Sequence, residues 1–361
     1  MKYGLVLAGG GARGAYQAGV VRALEEMNIG LSAVCGTSIG AMNGAAVLMG
    51  GYEFMSRLWR EIRLTDIIDI DEKAAENFLS ISNMSELVKT MAGGGYDITP
   101  LEKYLKKNID EKKIRDSKLD FGLASVSLTN KKLVKLFKDD IPEGELYKYL
   151  IASASLPFFK TKTLSGERFT DGGLLDNMPV DMLAEKGIKD IICVDVRGIG
   201  FKKDICDAGL NIININCEKP FVGIMDFGGE GIERSIENGY YDCKRTFGIY
   251  SGKRFYIPTG EYAAAKSRYS IDLIEGAEHA AEIFGVERFC EYKFDELVSK
   301  MLAGYRAYAM EEAAPDGEKT VVIRLIRMLG KDKLEFINRR LDVFGKFYNA
   351  AGAIMYFERK F

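Results

Sequence analysis

Twice within the first forty residues, a short apolar run ends in a glycine-rich turn that opens at once into a helical pattern. Tyr3-Gly4-Leu5-Val6-Leu7 reads as a buried strand, and Gly9-Gly10-Gly11-Ala12-Arg13-Gly14 follows it. A helix then runs from about Arg13 to Met27, with Tyr16, Val20, Val21, Leu24 and Met27 at helical spacing. Ala33-Val34-Cys35 is a second short strand, entering Gly36-Thr37-Ser38-Ile39-Gly40, and Ile39 to Met49 reads as a helix rich in small residues. Strand–helix–strand–helix order demands a parallel sheet with helices on both faces, because a parallel return needs a crossover. Further strands are expected at 121–126, 132–137, 191–196 and 211–215, and a helix from Pro179 to about Glu185. Beyond about Pro258 the pattern is almost wholly helical. The expected division is an α/β domain over 1–257 and a mainly helical region over 258–361.

Composition excludes several classes. The chain of 361 residues carries 50 basic and 52 acidic side chains, a balance that gives no electrostatic footprint for nucleic acid. The six cysteines are scattered and none forms Cys-x-x-Cys, which fits a reduced, cytoplasmic setting. The apolar N-terminal run is too short for a secretory signal, and no stretch is long enough for a membrane span. A lipid substrate would therefore be met at a membrane surface, with the protein peripheral to it. A single histidine and the lack of metal-spaced cysteines imply no metal. The acidic neighbours Asp66, Asp69, Asp71 and Glu72 lack the glycine of a calcium loop and read as a solvated face.

Three motifs carry chemistry. Gly9 to Gly14 fits Gly-x-Gly-x-x-Gly, a dinucleotide signal only if an acidic residue ends the second strand; that position instead leads into Gly36-Thr37-Ser38. A cradle of backbone N–H groups for developing negative charge is the better reading. Ser38 lies in Gly-x-Ser-x-Gly, the frame of a nucleophile on a sharp strand-to-helix turn, although a serine there also suits a helix N-cap. Gly36 and Gly40 remove Cβ atoms so that strand and helix cross closely. Phe169-Thr170-Asp171-Gly172-Gly173 ends a strand in an acid followed by turn glycines, and Asn177 and Pro179 follow; a plain Asp-Gly turn explains the same residues. A nucleophilic serine normally needs an imidazole. The only one, His279, sits about 240 residues downstream of Ser38 in a stretch that reads as helix surface, so a carboxylate is the candidate base.

Taken in order, Gly9 to Gly14, Gly36 to Gly40, Ala152-Ser153-Ala154-Ser155-Leu156-Pro157, and Asp171-Gly172-Gly173 with Asn177-x-Pro179 resemble the patatin-like phospholipase family over roughly residues 5–184. The one departure is minor: Asp-Gly-Gly stands where many members have Asp-Gly-Ala. The resemblance implies a three-layer α/β/α hydrolase with a helical C-terminal extension, acting on fatty-acyl esters of lipids with no cofactor. It implies Ser38 as nucleophile, Asp171 as base, and the N–H groups of Gly10, Gly11 and Ala12 as oxyanion hole, with Arg13 bracing the loop. An acyltransferase using the same acyl-serine, and a non-catalytic lipid-binding protein, are the rival functions.

An acyl chain needs an apolar groove beside Ser38. Leu156-Pro157-Phe158-Phe159 is one candidate wall, and residues 77–95, ending in three glycines, a candidate lid. Near the C-terminus, apolar positions from Val321 to Phe347 interleave with Arg324, Arg327, Lys331, Lys333, Arg339, Arg340 and Lys346. Such helices pack on their own domain more often than they dock on anionic membranes.

Overall fold

The computed structural model describes residues 2–75, 93–161, 163–164, 166–203, 209–310, 317–329 and 342–361. The chain divides into two compact units, Met1–Cys243 and Lys244–Phe361. Residues 244–257, which the sequence reading gives to the first region, group with the second unit. Phe255 and Ile257 lie fully buried in that unit's apolar core.

The first unit begins β1 (Lys2–Leu7), a 3-10 turn at Gly11–Gly14, α1 (Ala15–Glu26), β2 (Gly30–Thr37) and α2 (Ile39–Glu61). The second expected helix ends where Gly50 and Gly51 break α2, Gly51 at φ 59°; the helix then resumes to Glu61. Next come α3 (Thr99–Asn108), α4 (Glu111–Asp116), β3 (Asp120–Ser127), β4 (Lys132–Phe137), α5 (Leu146–Ser153), β5 (Thr163–Leu164) and β6 (Glu167–Asp171). The unit closes with α6 (Val180–Glu185), β7 (Asp190–Asp195), β8 (Asn211–Asn216) and α7 (Glu230–Thr246).

One sheet joins these strands in the order β5-β6-β3-β2-β1-β7-β8, with β4 also on β3. From β3 to β8 the ladder is parallel, as the crossover pattern requires. The rest is a correction to an all-parallel sheet: β4 and β6 run antiparallel to β3, and β5 antiparallel to β6. The link from Ser127 to Lys132 is too short for a crossover, so β4 turns back as a hairpin. Alternation along the strands sorts the core into two faces. Val6, Cys35, Ile191 and Cys193 pack against Val180, Met182 and Leu183 of α6 on one face. On the other, Gly44 of α2 sits against Phe121 and Val34. The result is the expected helix–sheet–helix arrangement.

The second unit holds a two-stranded antiparallel ladder, β9 (Tyr250–Ser251) with β10 (Ile257–Pro258). It also holds α8 (Thr259–Arg268), α9 (Ile271–Ile283), α10 (Phe294–Met310), α11 (Gly317–Leu329) and α12 (Asp342–Lys360). Ile274, Ala277 and Ala281 of α9 meet Leu297 and Met301 of α10 and Ala350, Ile354 and Phe357 of α12 in one core. The described parts of the basic amphipathic stretch take part in it: Val322 is fully buried there, with Leu325, Ile326 and Phe347 packed around it. Among the described residues no helix is long and apolar enough to cross a membrane.

Candidate active site

The register of β3 builds the site. Thr37, the last residue of β2, pairs with Ala124, and Asp171, the last of β6, pairs with Ser125. β4 pairs Gly122 to Ser127, overlapping both neighbours, so β2 and β6 must share the opposite edge of β3. Two strands of opposite direction therefore meet end to end on one edge, and Asp171 and Ser38, the residue after Thr37, are delivered to the same place. No local sequence pattern encodes this meeting.

Ser38 has φ 57° and ψ −127°, a conformation rare outside glycine, and it leads directly into α2. This is the strained turn the Gly-x-Ser-x-Gly frame predicts; Ser38 makes no side-chain cap to the helix it precedes. The crossing is as close as expected: a Cβ on Gly36 would sit 2.4 Å from the Gly40 carbonyl carbon, and one on Gly40 only 2.0 Å from the Leu7 oxygen. The Ser38 N–H donates to Ser153 Oγ at 2.9 Å, and that hydroxyl donates to the Ala124 carbonyl at 2.7 Å. Ser155 does the matching task for the acid: its carbonyl accepts the Asp171 N–H at 2.7 Å and the Thr170 hydroxyl at 2.9 Å. The segment after α5 thus anchors both backbones.

Asp171 is 5% exposed and Ser38 7%. Asp171 Oδ1 accepts the Gly173 N–H at 2.8 Å, while Oδ2 is buried with no hydrogen-bond partner. Burial pushes the carboxyl up to about 6, against the Ser38 hydroxyl and the Gly173 N–H, which both pull it down. The Ser38 hydroxyl is therefore close enough to pull the carboxyl down, and Oδ2, without a partner of its own, is open to receive a proton. Gly172 packs on Ala124 and Thr37, and Gly173 lies against the Asn177 amide.

The glycine loop lies against Ser38: a Cβ on Gly9 would come within 3.0 Å of Ser38 Cβ, and one on Gly14 within 2.7 Å of Ile39. Gly11 adopts φ 56°. The loop is fixed from two sides. Asn177, fully buried, accepts the Gly9 N–H at 3.1 Å and returns its amide to the Gly9 carbonyl at 3.2 Å. Arg13 donates to the Val222 carbonyl at 3.2 Å and the Arg197 carbonyl at 2.5 Å, the bracing role expected of it. Beneath the loop, Gln17 holds the Ala8 carbonyl at 2.7 Å, Asn43 donates to Gln17 at 2.7 Å, and Trp59 donates to Asn43 at 3.1 Å.

One expected oxyanion donor is corrected. The Ala12 N–H already donates to the Ile224 carbonyl at 2.7 Å, so it is not free for substrate. The N–H groups of Gly10, Gly11 and Ile39 have no acceptor among the described residues. The side chain of Ile39 gives no sign of a free N–H; its position, first in the helix after Ser38, is the available cue. Ser153 and Ser155 stand in the resembling block without an assigned role. The Ser153 hydroxyl beside a strand-bound helix end is the available sign of anchoring, whereas Ser155 anchors through its carbonyl and leaves no side-chain sign.

His279 is 8% exposed, not a surface residue. Its Nδ1 pairs with the Lys346 carbonyl at 3.0 Å, its ring lies on Phe347, and burial holds its pKa below the usual histidine value. Its contacts are those of core packing in the second unit. Among the described residues no cluster suits a metal ion.

A cleft with about 50 Å³ of free space is lined almost wholly by apolar groups, among them Ile39, the residue after Ser38, with Met42, Met55, Trp59, Leu101 and Tyr104. The candidate wall at 156–159 does not line it; Phe159 is buried and bridges Tyr96 instead. Residues 77–92 of the candidate lid lie outside the described residues.

The family model for patatin-like phospholipase matches residues 5–184. Patatin-like phospholipase domain-containing protein 7 of Rattus norvegicus is 31% identical over 202 residues, 53% of this chain and 13% of its own. Lysophospholipase NTE1 of Meyerozyma guilliermondii is 33% identical over 198 residues, 54% of this chain and 13% of its own. Lysophospholipase NTE1 of Candida albicans is 30% identical over 269 residues, 68% of this chain and 17% of its own. The chain spans less than a fifth of the length of these relatives.

Proposed function

Through residues 5–184 the chain belongs to the patatin-like phospholipase family, and on that premise we propose that it hydrolyses fatty-acyl esters of lipids, phospholipids or lysophospholipids among them, through an acyl-serine intermediate. The observation that carries the reading is the pairing of a strained, buried Ser38 with a buried Asp171 carboxyl whose Oδ2 has no partner. An ordinary carboxylate is a weak base for a hydroxyl; one raised to about 6 is better matched to the task and still ionised at neutral pH.

In the first half-reaction Asp171 takes the Ser38 proton as Oγ attacks the ester carbonyl. The oxyanion lies against the N–H groups of Gly10 and Gly11, with Ile39 at the positive end of α2. The tetrahedral species collapses, the C–O bond to the alcohol or lysolipid breaks, and the proton on Asp171 goes to the leaving oxygen. Water then loses a proton to Asp171 and attacks the acyl carbon. The same proton returns to Ser38 as the fatty acid leaves. The apolar cleft that Ile39 helps to line suits an acyl group. No cofactor enters this cycle.

A panel of phospholipids, lysophospholipids and simple esters, run with wild type and Ser38→Ala side by side, tests the reading, with fluorophosphonate labelling in parallel. Free fatty acid from wild type alone, and label on Ser38, are expected. Equal turnover by Ser38→Ala, or an unlabelled wild type, overturns it. Acyl transfer to an added alcohol in place of fatty-acid release would redirect it to a transferase.

A further inference from the structure

Five large apolar side chains of the first unit stand exposed among the described residues: Leu128, Leu174, Leu175, Ile199 and Phe201. Four of the five lie on two segments that touch each other. Leu174 and Leu175 follow the Asp171 turn directly. Ile199 and Phe201 belong to the loop after β7, and that loop lies across the seam between the glycine loop and the Asp171 turn. A Cβ on Gly198 would sit 2.7 Å from Gly10 Cα, and one on Gly200 would sit 2.4 Å from the Gly173 oxygen. The Phe201 N–H donates to the Gly173 carbonyl at 2.8 Å, and its carbonyl accepts the Asn177 N–H at 2.7 Å. The loop is thus pinned by its backbone and by two inward glycines, while the residues that alternate with them face water. Ile199 is 84% exposed and Phe201 64%. A rigid mount for exposed apolar groups, placed where a substrate must enter, needs an apolar partner.

We infer that Leu174, Leu175, Ile199 and Phe201 form the face by which this protein rests on a lipid surface, so that an ester passes from the bilayer to Ser38 without crossing water. The choice of partner rests on the acyl-hydrolase reading. The surrounding charges say how the contact works. Lys202 pairs with Asp195, and Lys203 pairs with Asp176 and Asp181, each at 3.4 Å, whereas exposed Arg197 has no carboxylate partner among the described residues. Contact is therefore led by insertion of apolar side chains rather than by attraction to anionic headgroups, and it forms on zwitterionic lipid and withstands salt.

The test is flotation with phosphatidylcholine vesicles, at low and high salt, of wild type and the double variant Leu175→Ser/Ile199→Ser. Turnover of a water-soluble short-chain ester serves as the reference activity. Wild type is expected to float at both salt concentrations. The double variant should lose about tenfold or more in vesicle affinity, since each side chain forfeits its burial in lipid, and should keep its turnover of the soluble ester. A second reading does not depend on that variant folding: Phe201→Trp should shift its emission to the blue on adding vesicles. Equal flotation of variant and wild type, a wild type that stays unbound, or an unshifted Trp overturns the inference. So does a dimer of wild type that the double variant abolishes while vesicle binding persists, because the patch then seats a second copy. Failure of the hydrolase reading looks different: wild type neither cleaves the soluble ester nor takes the fluorophosphonate, whatever the flotation shows.

Discussion

At φ 57° a serine pays roughly 1–3 kcal/mol in backbone strain, which persists only where neighbours over-determine the turn. Ser153 is the neighbour that does so, accepting the Ser38 N–H from a hydroxyl itself held by the Ala124 carbonyl. Ser153→Ala leaves that N–H buried and unpaired, which costs about 1–3 kcal/mol in denaturation midpoint energy. It also lets Oγ drift from its line of attack, so kcat should fall by about ten- to a hundredfold with KM nearly unchanged. A matched rise in KM would mean that Ser153 shapes the binding surface instead. Asp171 carries a prediction with a definite sign. Its folded-state pKa of about 6 lies above the ordinary 3.8, so ionising it disfavours the folded state. Stability is lost as pH rises from about 4 to about 6 and stays lost above. Asp171→Asn should therefore abolish turnover and yet melt higher than wild type at pH 7, by at most roughly 3 kcal/mol, the gain vanishing below about pH 4. For wild type, kcat/KM should rise through an apparent pKa near 6, because the base must be ionised. A profile half-maximal near pH 4, or a variant less stable than wild type at pH 7, would contradict the buried, unpartnered carboxyl.

Among the elements, the crossing of β2 and α2 does most to place the nucleophile, and Gly40 decides how near they come. A methyl there would meet the Leu7 oxygen at 2.0 Å and the Ala8 oxygen at 2.8 Å, both main-chain atoms that cannot step aside. Gly40→Ala should cost at least about 2 kcal/mol and remove turnover through displacement of the glycine loop. Gly260, near the start of α8, has nothing within 4 Å of its would-be Cβ, so Gly260→Ala should be neutral or stabilise by up to about 1 kcal/mol. Paired urea titrations separate the two, and similar midpoints would refute the crossing. This crossing was readable in the sequence, because glycines two before and two after a serine leave a local trace. So were the parallel strands, whose apolar runs end in turns. The meeting of β2 with β6 was not readable. It depends on which edge of β3 each strand takes, a matter of pairing between residues more than 80 positions apart, such as Ser38's neighbour Thr37 and the strand at Asp120–Ser127. The Ala12 donor was misjudged for a similar reason: its acceptor, the Ile224 carbonyl, is more than 200 residues away and leaves no mark near the loop.

Across the whole molecule, the functional motifs fall in one unit and the only imidazole in the other. Ser38, Asp171 and the glycine loop belong to Met1–Cys243, and His279 to Lys244–Phe361. Periodicity foretells the helical character of the second unit, but its reading of the lone histidine between Glu278 and Ala280 as helix surface is wrong. Tertiary packing decides it: α9 and α12 approach so closely that a Cβ on Gly276 would stand 2.4 Å from the Asn349 oxygen, and this buries both flanks of α9. Glu278 beside it is also fully buried, its Oε2 taking the N–H groups of Lys253 and Arg254 at 2.7 and 2.6 Å. His279 is thus an internal strut, its Nδ1 paired with the Lys346 carbonyl, and neutral at pH 7 because burial lowers its pKa by more than that contact raises it. A triad histidine and a packing histidine respond oppositely to removal. His279→Ala should leave kcat on any accepted ester within about twofold, since in the proposed cycle the proton is carried by Asp171. The same variant should lose about 1–3 kcal/mol of stability from the vacated space beside Phe347 and the unpaired Lys346 carbonyl. The decisive measurement is turnover on the fraction that remains folded, taken well below the variant's melting temperature. A fall of a hundredfold or more there would return imidazole to the mechanism, and with it the question of what Asp171 is for.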